Sequence, residues 1–320
     1  MIIEWKADSE LDGFRDDFPD EYTTLDCDTD KAAQTRGQIY SYASEALDNQ
    51  HRLFVLALTI CGDFARFYRF DASSVVVSEL ISIRDDAEVV VEFFARYGCM
   101  TPAERGYDPT VIPATAQEKK LFEGHVKDYL RRVAGNELKL HPDAKDLDAT
   151  KTVKIQVNNE EDGTTHYYLA CKPKSSPVNY SPCGSFSRGF FAVPLYTGTL
   201  KATHPDKGKL YWLKDSWRSD GVDSEASIYR LLKEKNVVNL PDIKCIGDVM
   251  EGEILQETLN DTLLQDETAD EWRRPVHLIH HMIHYRLVTE LLIPLNAIED
   301  AQELLLVGRM TLDSKISLVD

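Results

Sequence analysis

Lys214 closes an apolar run, Leu210-Tyr-Trp-Leu-Lys214, about 25 residues after the two glycines of Gly184-Ser-Phe-Ser-Arg-Gly189. A lysine at the end of a buried strand is placed to hold α- and β-phosphates, and a glycine turn between strands lets backbone N–H groups approach the same anions. Further along, Glu225 opens a stretch with Ile228, Leu231 and Leu232 at helical spacing. A carboxylate there is favoured by the helix dipole and could pair with Lys214, fixing the ammonium for phosphate binding. The turn is not a Walker A loop, because Phe190 stands where lysine must follow the second glycine. Phe186 likewise fills the middle place of a G-x-G-x-x-G pattern. Each residue also has a plain structural reading: a hairpin turn, a surface lysine, a capping glutamate.

Two other groupings have the residue types for chemistry. Glu4-x-Lys6 on a short strand is followed by a helical stretch with Gln34, Gln38 and Tyr42, and then by an apolar strand. This order resembles a restriction-endonuclease core, in which acidic side chains hold Mg²⁺ and the lysine orients water. Only three residues precede Glu4, too few to supply the upstream Asp, so the expectation is a scaffold of that type without its activity. The second grouping is His277-Leu-Ile-His280-His281-Met-Ile-His284. On a helix, His277, His281 and His284 would share one face as zinc ligands do. No acidic residue follows the H-E-x-x-H pattern, and an exposed histidine-rich strand edge is the expected form.

Elements must position these groups. The spacing predicts a strand over 1–6 and a helix from about Lys31 to Asn49 capped by Asp30. A strand buried on both faces follows over 51–61. Strands are expected at Phe64–Phe70 and Val75–Ile81, then a helix over Ala87–Tyr97. Ala116–Ala134 reads as a helix with Leu121, Phe122, Val126, Tyr129, Leu130 and Val133 on one stripe. Beyond it, a hairpin over 153–171 turns at Asn158-Asn-Glu-Glu-Asp-Gly. Strands are expected at Gly189–Leu195, Leu210–Lys214, Lys244–Val249 and His284–Val288, with a helix over Asp223–Lys235.

Composition sets outer bounds. The 320 residues carry 54 acidic and 36 basic side chains, a formal charge of −18. That surface argues against nucleic acid as a partner, because phosphate backbones need basic protein. The charge is concentrated: residues 1–30 hold a net −9 and residues 251–271 a net −8, as solvated acidic loops do. The longest apolar stretch, Leu53–Cys61, is half of what a bilayer crossing needs, which argues against a membrane span. The start lacks a signal-peptide layout. Six scattered cysteines without C-x-x-C fit buried thiols in an intracellular, reducing compartment, cytoplasm or nucleus.

Taken in order, several strings resemble the fungal-type protein kinase domain family. They are Arg36-Gly-Gln-Ile-Tyr-Ser-Tyr-Ala, Gln50-His-Arg-Leu-Phe, Gly62-Asp-Phe-Ala-Arg-Phe-Tyr-Arg-Phe-Asp71 and Met100-Thr-Pro-Ala-Glu-Arg-Gly-Tyr-Asp-Pro-Thr. Ser181-Pro-Cys-Gly-Ser-Phe-Ser-Arg-Gly, Leu213-Lys-Asp-Ser-Trp-Arg, Glu225-Ala-Ser-Ile-Tyr-Arg-Leu-Leu-Lys-Glu and His284-Tyr-Arg-Leu-Val continue the series. The resemblance spans roughly residues 30–300. Together with the endonuclease-like opening, it leads to the expectation of an α+β protein: an α/β, restriction-endonuclease-like scaffold over 1–112, a helical connector over 113–150, and a kinase-like small lobe, hinge and divergent tail over 151–320. The lobe would be an antiparallel sheet plus one helix. It further implies ATP and Mg²⁺ as cofactors, Gly184 and Gly189 in the phosphate turn, Lys214 on the phosphates, Glu225 as its partner and Glu290 in the hinge that reads adenine. Phosphoryl transfer also needs a catalytic-loop Asp and metal-holding Asn and Asp, and no His-Arg-Asp string occurs here. The expectation is therefore a truncated, pseudokinase-like protein that binds more than it catalyses. Apolar surface near the 223–235 helix and Val288–Ile298 would then be covered by a protein partner.

Overall fold

The acidic opening segment ends at Thr29, whose hydroxyl accepts a hydrogen bond from the Ala32 N–H and starts the first long helix. Thr29, not Asp30, is thus the cap, because its extended backbone lets the side chain reach back to the first turn. In the computed structural model, residues 1–16, 25–135, 137–173, 183–196, 204–260, 280–298 and 300–316 are described. The chain is mixed α+β and divides into two compact units. One unit holds 1–109, 177–186 and 257–282, and the other holds 110–176, 187–256 and 283–320.

The first unit is built on the sheet β1 (Ile2–Lys6), β2 (Phe54–Cys61), β3 (Phe64–Asp71), β4 (Val75–Val77) and β5 (Ile81–Ser82). β1 runs parallel to β2, with Glu4 opposite Thr59, and α1 (Asp30–Asn49) is the crossover between them. β2 and β3 form an antiparallel hairpin at Gly62. Where one strand was expected over 75–81, two short ones form, β4 and β5, each pairing with β3. The buried face takes Ala32, Ile39, Ala43 and Leu47 from α1 against Val55, Ala57, Tyr68 and Phe70. That spacing, every third or fourth residue on the helix and every second on the strands, is what packs a helix on a sheet. α2 (Ala87–Cys99) sets the Phe93 ring 4.3 Å from that of Phe67, yet Val89, Val91 and Phe94 stay exposed.

The second unit is a seven-stranded sheet in the order β11-β14-β10-β9-β8-β7-β6, antiparallel between β11 and β14 and from β10 through β6. The strands are β6 (Val111–Pro113), β7 (Val153–Asn158), β8 (Thr165–Ala170), β9 (Arg188–Pro194), β10 (Tyr211–Ser219), β11 (Ile243–Asp248) and β14 (Met282–Glu290). β12 (Met250–Glu251) and β13 (Ile254–Leu255) form a separate small pair. On one sheet face Phe191, Val193 and Leu210 pack with Phe122 and Tyr129 of α3 (Ala116–Ala134). α3 opens with a reciprocal capping box between Thr115 and Glu118. Its stripe holds except at Leu121, which is exposed. On the other face Ile155, Val157, Tyr168, Phe190, Leu213, Cys245 and Val288 form one cluster. The sheet curls enough that Cys245 Sγ donates to the Val157 carbonyl at 3.7 Å. Gly247 permits this closure, since a Cβ there would come within 2.7 Å of the Asn158 carbonyl oxygen. α4 (Glu225–Glu234) packs Ala226 and Tyr229 on Ile246, Tyr285 and Leu287, and α5 (Ala301–Ile316) follows β14.

Candidate functional site

Alternation along β10 decides which side chains meet. Lys214 and Arg218 share one face, and Asp215 and Trp217 take the other. Ser224 caps α4 through a hydrogen bond from the Ser227 N–H at 3.1 Å, which places Glu225 in the first turn. There its carboxylate forms an ion pair with Lys214 Nζ, each side chain being about one-third exposed (35% and 34%). Lys214 stands directly opposite Gly189 in the β9–β10 ladder. Arg218 makes a two-pronged pair with Asp248 on β11, both contacts at 2.8 Å, and these hydrogen bonds raise its already high pKa. The Tyr285 hydroxyl accepts from the Ala226 N–H at 2.9 Å and locks the start of α4 to β14.

Of the residues singled out in the sequence, Gly189, Lys214, Glu225 and Glu290 lie in the second unit and Gly184 in the first. Glu290 is the last residue of β14: its N–H donates to the Asp242 carbonyl at 2.9 Å and its carboxylate accepts from the Asp242 N–H at 3.1 Å. Gly184 donates its N–H to the Ala72 carbonyl at 2.9 Å. Phe186, in the middle glycine place of the pattern, takes φ 39° and is buried. A phenylalanine thus adopts the left-handed backbone that glycine prefers, at a cost of roughly 1–2 kcal/mol.

The opposite face of β10 holds a charged cluster that spacing did not reveal. Asp215 is fully buried and accepts from Arg188 Nη2, from His284 Nε2 at 2.6 Å and from Arg286 Nε at 3.0 Å. Arg286 also donates to Thr110 Oγ1 at 2.8 Å and to the Gln156 carbonyl at 2.7 Å. His284 Nδ1 lies 2.8 Å from Gln256 Oε1, and its ring stacks on Trp217 at 4.7 Å. Burial alone would push the Asp215 carboxyl up; His284, Arg188 and Arg286 outweigh it and hold the group well below the usual range. The usable signal was a run of strand residues, Lys-Asp-Ser-Trp-Arg and His-Tyr-Arg, too charged for a two-sided buried sheet unless the charges meet.

The histidine-rich stretch is corrected in part. His284 is buried in a strand and not exposed, because Asp215 and Gln256 satisfy both ring nitrogens. His281 lies 3.0 Å from Glu257 Oε2, and His277 falls outside the described residues. Among the described residues no cluster of three or more His, Cys, Asp or Glu is placed to hold a metal ion. Burial raises the thiol of Cys61 to about 11 and those of Cys183 and Cys245 to about 12, so they stay protonated at neutral pH. In the first unit Glu4, Lys6 and Gln38 do converge: Lys6 Nζ lies 2.7 Å from Glu4 Oε1 and donates to Gln38 Oε1 at 2.5 Å.

The string Arg105-Gly-Tyr-Asp108 docks on the start of β2. Arg52 lies 3.8 Å over the Tyr107 ring and donates to the Arg105 carbonyl at 2.8 Å. Leu53 N–H meets the Gly106 carbonyl at 2.8 Å, and Asp108 N–H the His51 carbonyl at 3.0 Å. No helix among the described residues is long and apolar enough to cross a membrane.

In comparisons with known proteins, no curated protein and no solved structure matches the chain. A family model described as fungal protein kinase does match, over residues 21–165. That region takes in Arg36-Gly-Gln, Arg105-Gly-Tyr-Asp-Pro-Thr, α3 and the start of β8, and ends before Lys214. Over those residues the chain is shown to be similar to the fungal-type protein kinase family.

Proposed function

We propose that the second unit is a kinase-like small lobe that holds nucleotide phosphates at Lys214, and that these 320 residues by themselves bind nucleotide without transferring phosphate. The Lys214–Glu225 ion pair carries this reading. A lysine on a central strand, clamped by a glutamate from the first turn of the following helix, is the arrangement that orients an ammonium towards α- and β-phosphates. Its support is the strand order β8-β9-β10-β14-β11 with one helix after β10. Gly189 opposite Lys214 removes one neighbouring side chain from the ammonium. On this reading ATP would be held through its phosphates, with Lys214 as their cation. The chain reads as pseudokinase-like from its sequence, in which no His-Arg-Asp string follows β14.

The first unit supports an endonuclease-like scaffold as fold, since Glu4, Lys6 and Gln38 meet beside a parallel β1–α1–β2 unit. The six free cysteines suit a reducing, intracellular setting.

Thermal unfolding with millimolar Mg-ATP is the test. The expected result is a rise in Tm of a few degrees that disappears in Lys214→Ala, as follows when ligand binds only the folded state. An absent rise, or one unchanged in Lys214→Ala, defeats nucleotide binding at this site. The second reading, a non-catalytic interaction module, then takes its place. Exposed Val222, Ile228, Leu231 and Val238 around α4 favour it, as surface for a protein partner.

A further inference from the structure

β1 ends its sheet. Among the described residues it pairs with β2 alone, in parallel, and its other edge meets no further strand. Soluble proteins blunt such edges with proline, bulges or lone charges, because an unpaired strand recruits another. β1 has no proline and an unbroken register from Ile2 to Lys6. It also turns Ile3 (51% exposed) and Trp5 (75% exposed) to solvent on one face, Trp5 being the most exposed large apolar side chain among the described residues. On its other face Glu4 and Lys6 sit 2.7 Å apart beside Gln38.

We propose that β1 is a self-pairing edge: two copies of the chain join antiparallel through β1, around a two-fold axis at Trp5. In that register Trp5 faces Trp5 of the second copy, Glu4 faces its Lys6, and Lys6 faces its Glu4. The pattern Ile-Glu-Trp-Lys-Ala is therefore complementary to itself, in aromatic contact on one face and in charge on the other. Shifting the register by one residue would set the indole against a charged side chain. Shifting it by two would bring Glu4 against Glu4 or Lys6 against Lys6. The charges that would repel a foreign apolar strand thus admit a second copy, and the two-fold makes the contact isologous. This inference is independent of nucleotide binding, which belongs to the other unit.

Light scattering coupled to size exclusion, run over a range of protein concentrations, reads the outcome. Wild type is expected at twice the 36.4 kDa chain mass at high concentration. K6E and E4K each set like charges opposite one another and should raise the dissociation constant about tenfold or more. Mixing K6E with E4K should restore the dimer as a mixed pair, and the double swap E4K/K6E should restore it alone. Since Lys6 also touches Gln38, folding of each variant is checked by circular dichroism. W5R, altering a side chain already in solvent, provides a second disruptive variant. A monomeric wild type at every concentration overturns the proposal, as does a dimer indifferent to both K6E and W5R, or single variants that fail to pair when mixed.

Discussion

Asp215 is the residue on which the second unit's strands converge. Its carboxylate takes hydrogen bonds from β9 and β14 while it sits on β10, so three neighbouring strands share one buried charge. Buried ions stabilise only as a complete set: removing one partner leaves uncompensated charge in low dielectric. Asp215→Asn keeps the shape and removes the charge that faces Arg188, His284 and Arg286. We expect it to cost roughly 3 kcal/mol at pH 7, measured by urea denaturation. The pH dependence follows from the depressed carboxyl. A group whose folded pKa lies below its unfolded value of about 3.9 contributes stability above that value and loses it as pH falls through the folded pKa. The gap between wild type and Asp215→Asn should hold from pH 7 to pH 5 and close only in strongly acid solution. A gap that closes near neutrality would mean that Asp215 is not the anion of the cluster. The meeting of Lys214 and Glu225 could be read from the sequence because each lies in a local element, an apolar strand and the start of an amphipathic helix, although the strand runs on to Ser219 and does not end at Lys214. The Asp215 cluster could not, since its partners lie 27 residues away on β9 and 69 and 71 residues away on β14, and charge in a strand has no period that marks it as internal.

Turns decide whether the elements meet in register, and the Gly106 turn is the most constrained. Gly106 has φ 91°, and a Cβ there would lie 2.1 Å from the Phe54 carbonyl oxygen. Backbone cannot retreat from that contact without breaking the Leu53–Gly106 hydrogen bond or the Arg52–Tyr107 stack. Gly163 gives the comparison: φ is 70°, but nothing lies within 4 Å of its missing Cβ. Gly163→Ala should therefore cost only the left-handed backbone, about 1–2 kcal/mol. Gly106→Ala should cost distinctly more, on the order of 3 kcal/mol or above, because a steric clash adds to the same strain. Denaturant midpoints of the two variants check the order, and equal costs would show that the turn relaxes freely. At this scale much was legible. The helix over Ala116–Ala134 forms with the bounds that its apolar stripe predicts, Thr115 and Gly135 capping it. The hairpin forms around Asn158-Asn-Glu-Glu-Asp-Gly as that turn predicts. What failed was local competition: Thr29 displaced Asp30 as cap, and Val75–Ile81 broke into β4 and β5 between which Ser78 bonds back to Phe67. Apolar spacing could not foresee either, since both depend on which backbone group a short polar side chain reaches.

Across the whole chain the dominant long-range term is the charge of −18. Like charges repel with an energy that grows as the square of the net charge, while ion pairs add one by one. Exposed pairs such as Arg84–Asp63 at 2.6 Å and Lys127–Glu123 at 2.6 Å are each worth about 0–1 kcal/mol. Salt separates the two contributions. The screening length falls from about 30 Å at 0.01 M to about 8 Å at 0.15 M, so repulsion between distant acidic side chains fades while contact pairs are reduced far less. The net −9 of residues 1–30 and net −8 of residues 251–271 concentrate that repulsion in two blocks. Folding should therefore be stabilised by moderate salt, with Tm rising about 2–4 °C between 0.01 M and 0.15 M sodium chloride for roughly 1–2 kcal/mol of relieved repulsion. Replacing the acidic side chains of residues 251–271 by their amides should flatten the response. A Tm that falls as salt is added would mean that the ion pairs outweigh the net charge, and that the acidic blocks are matched by cations in the folded chain.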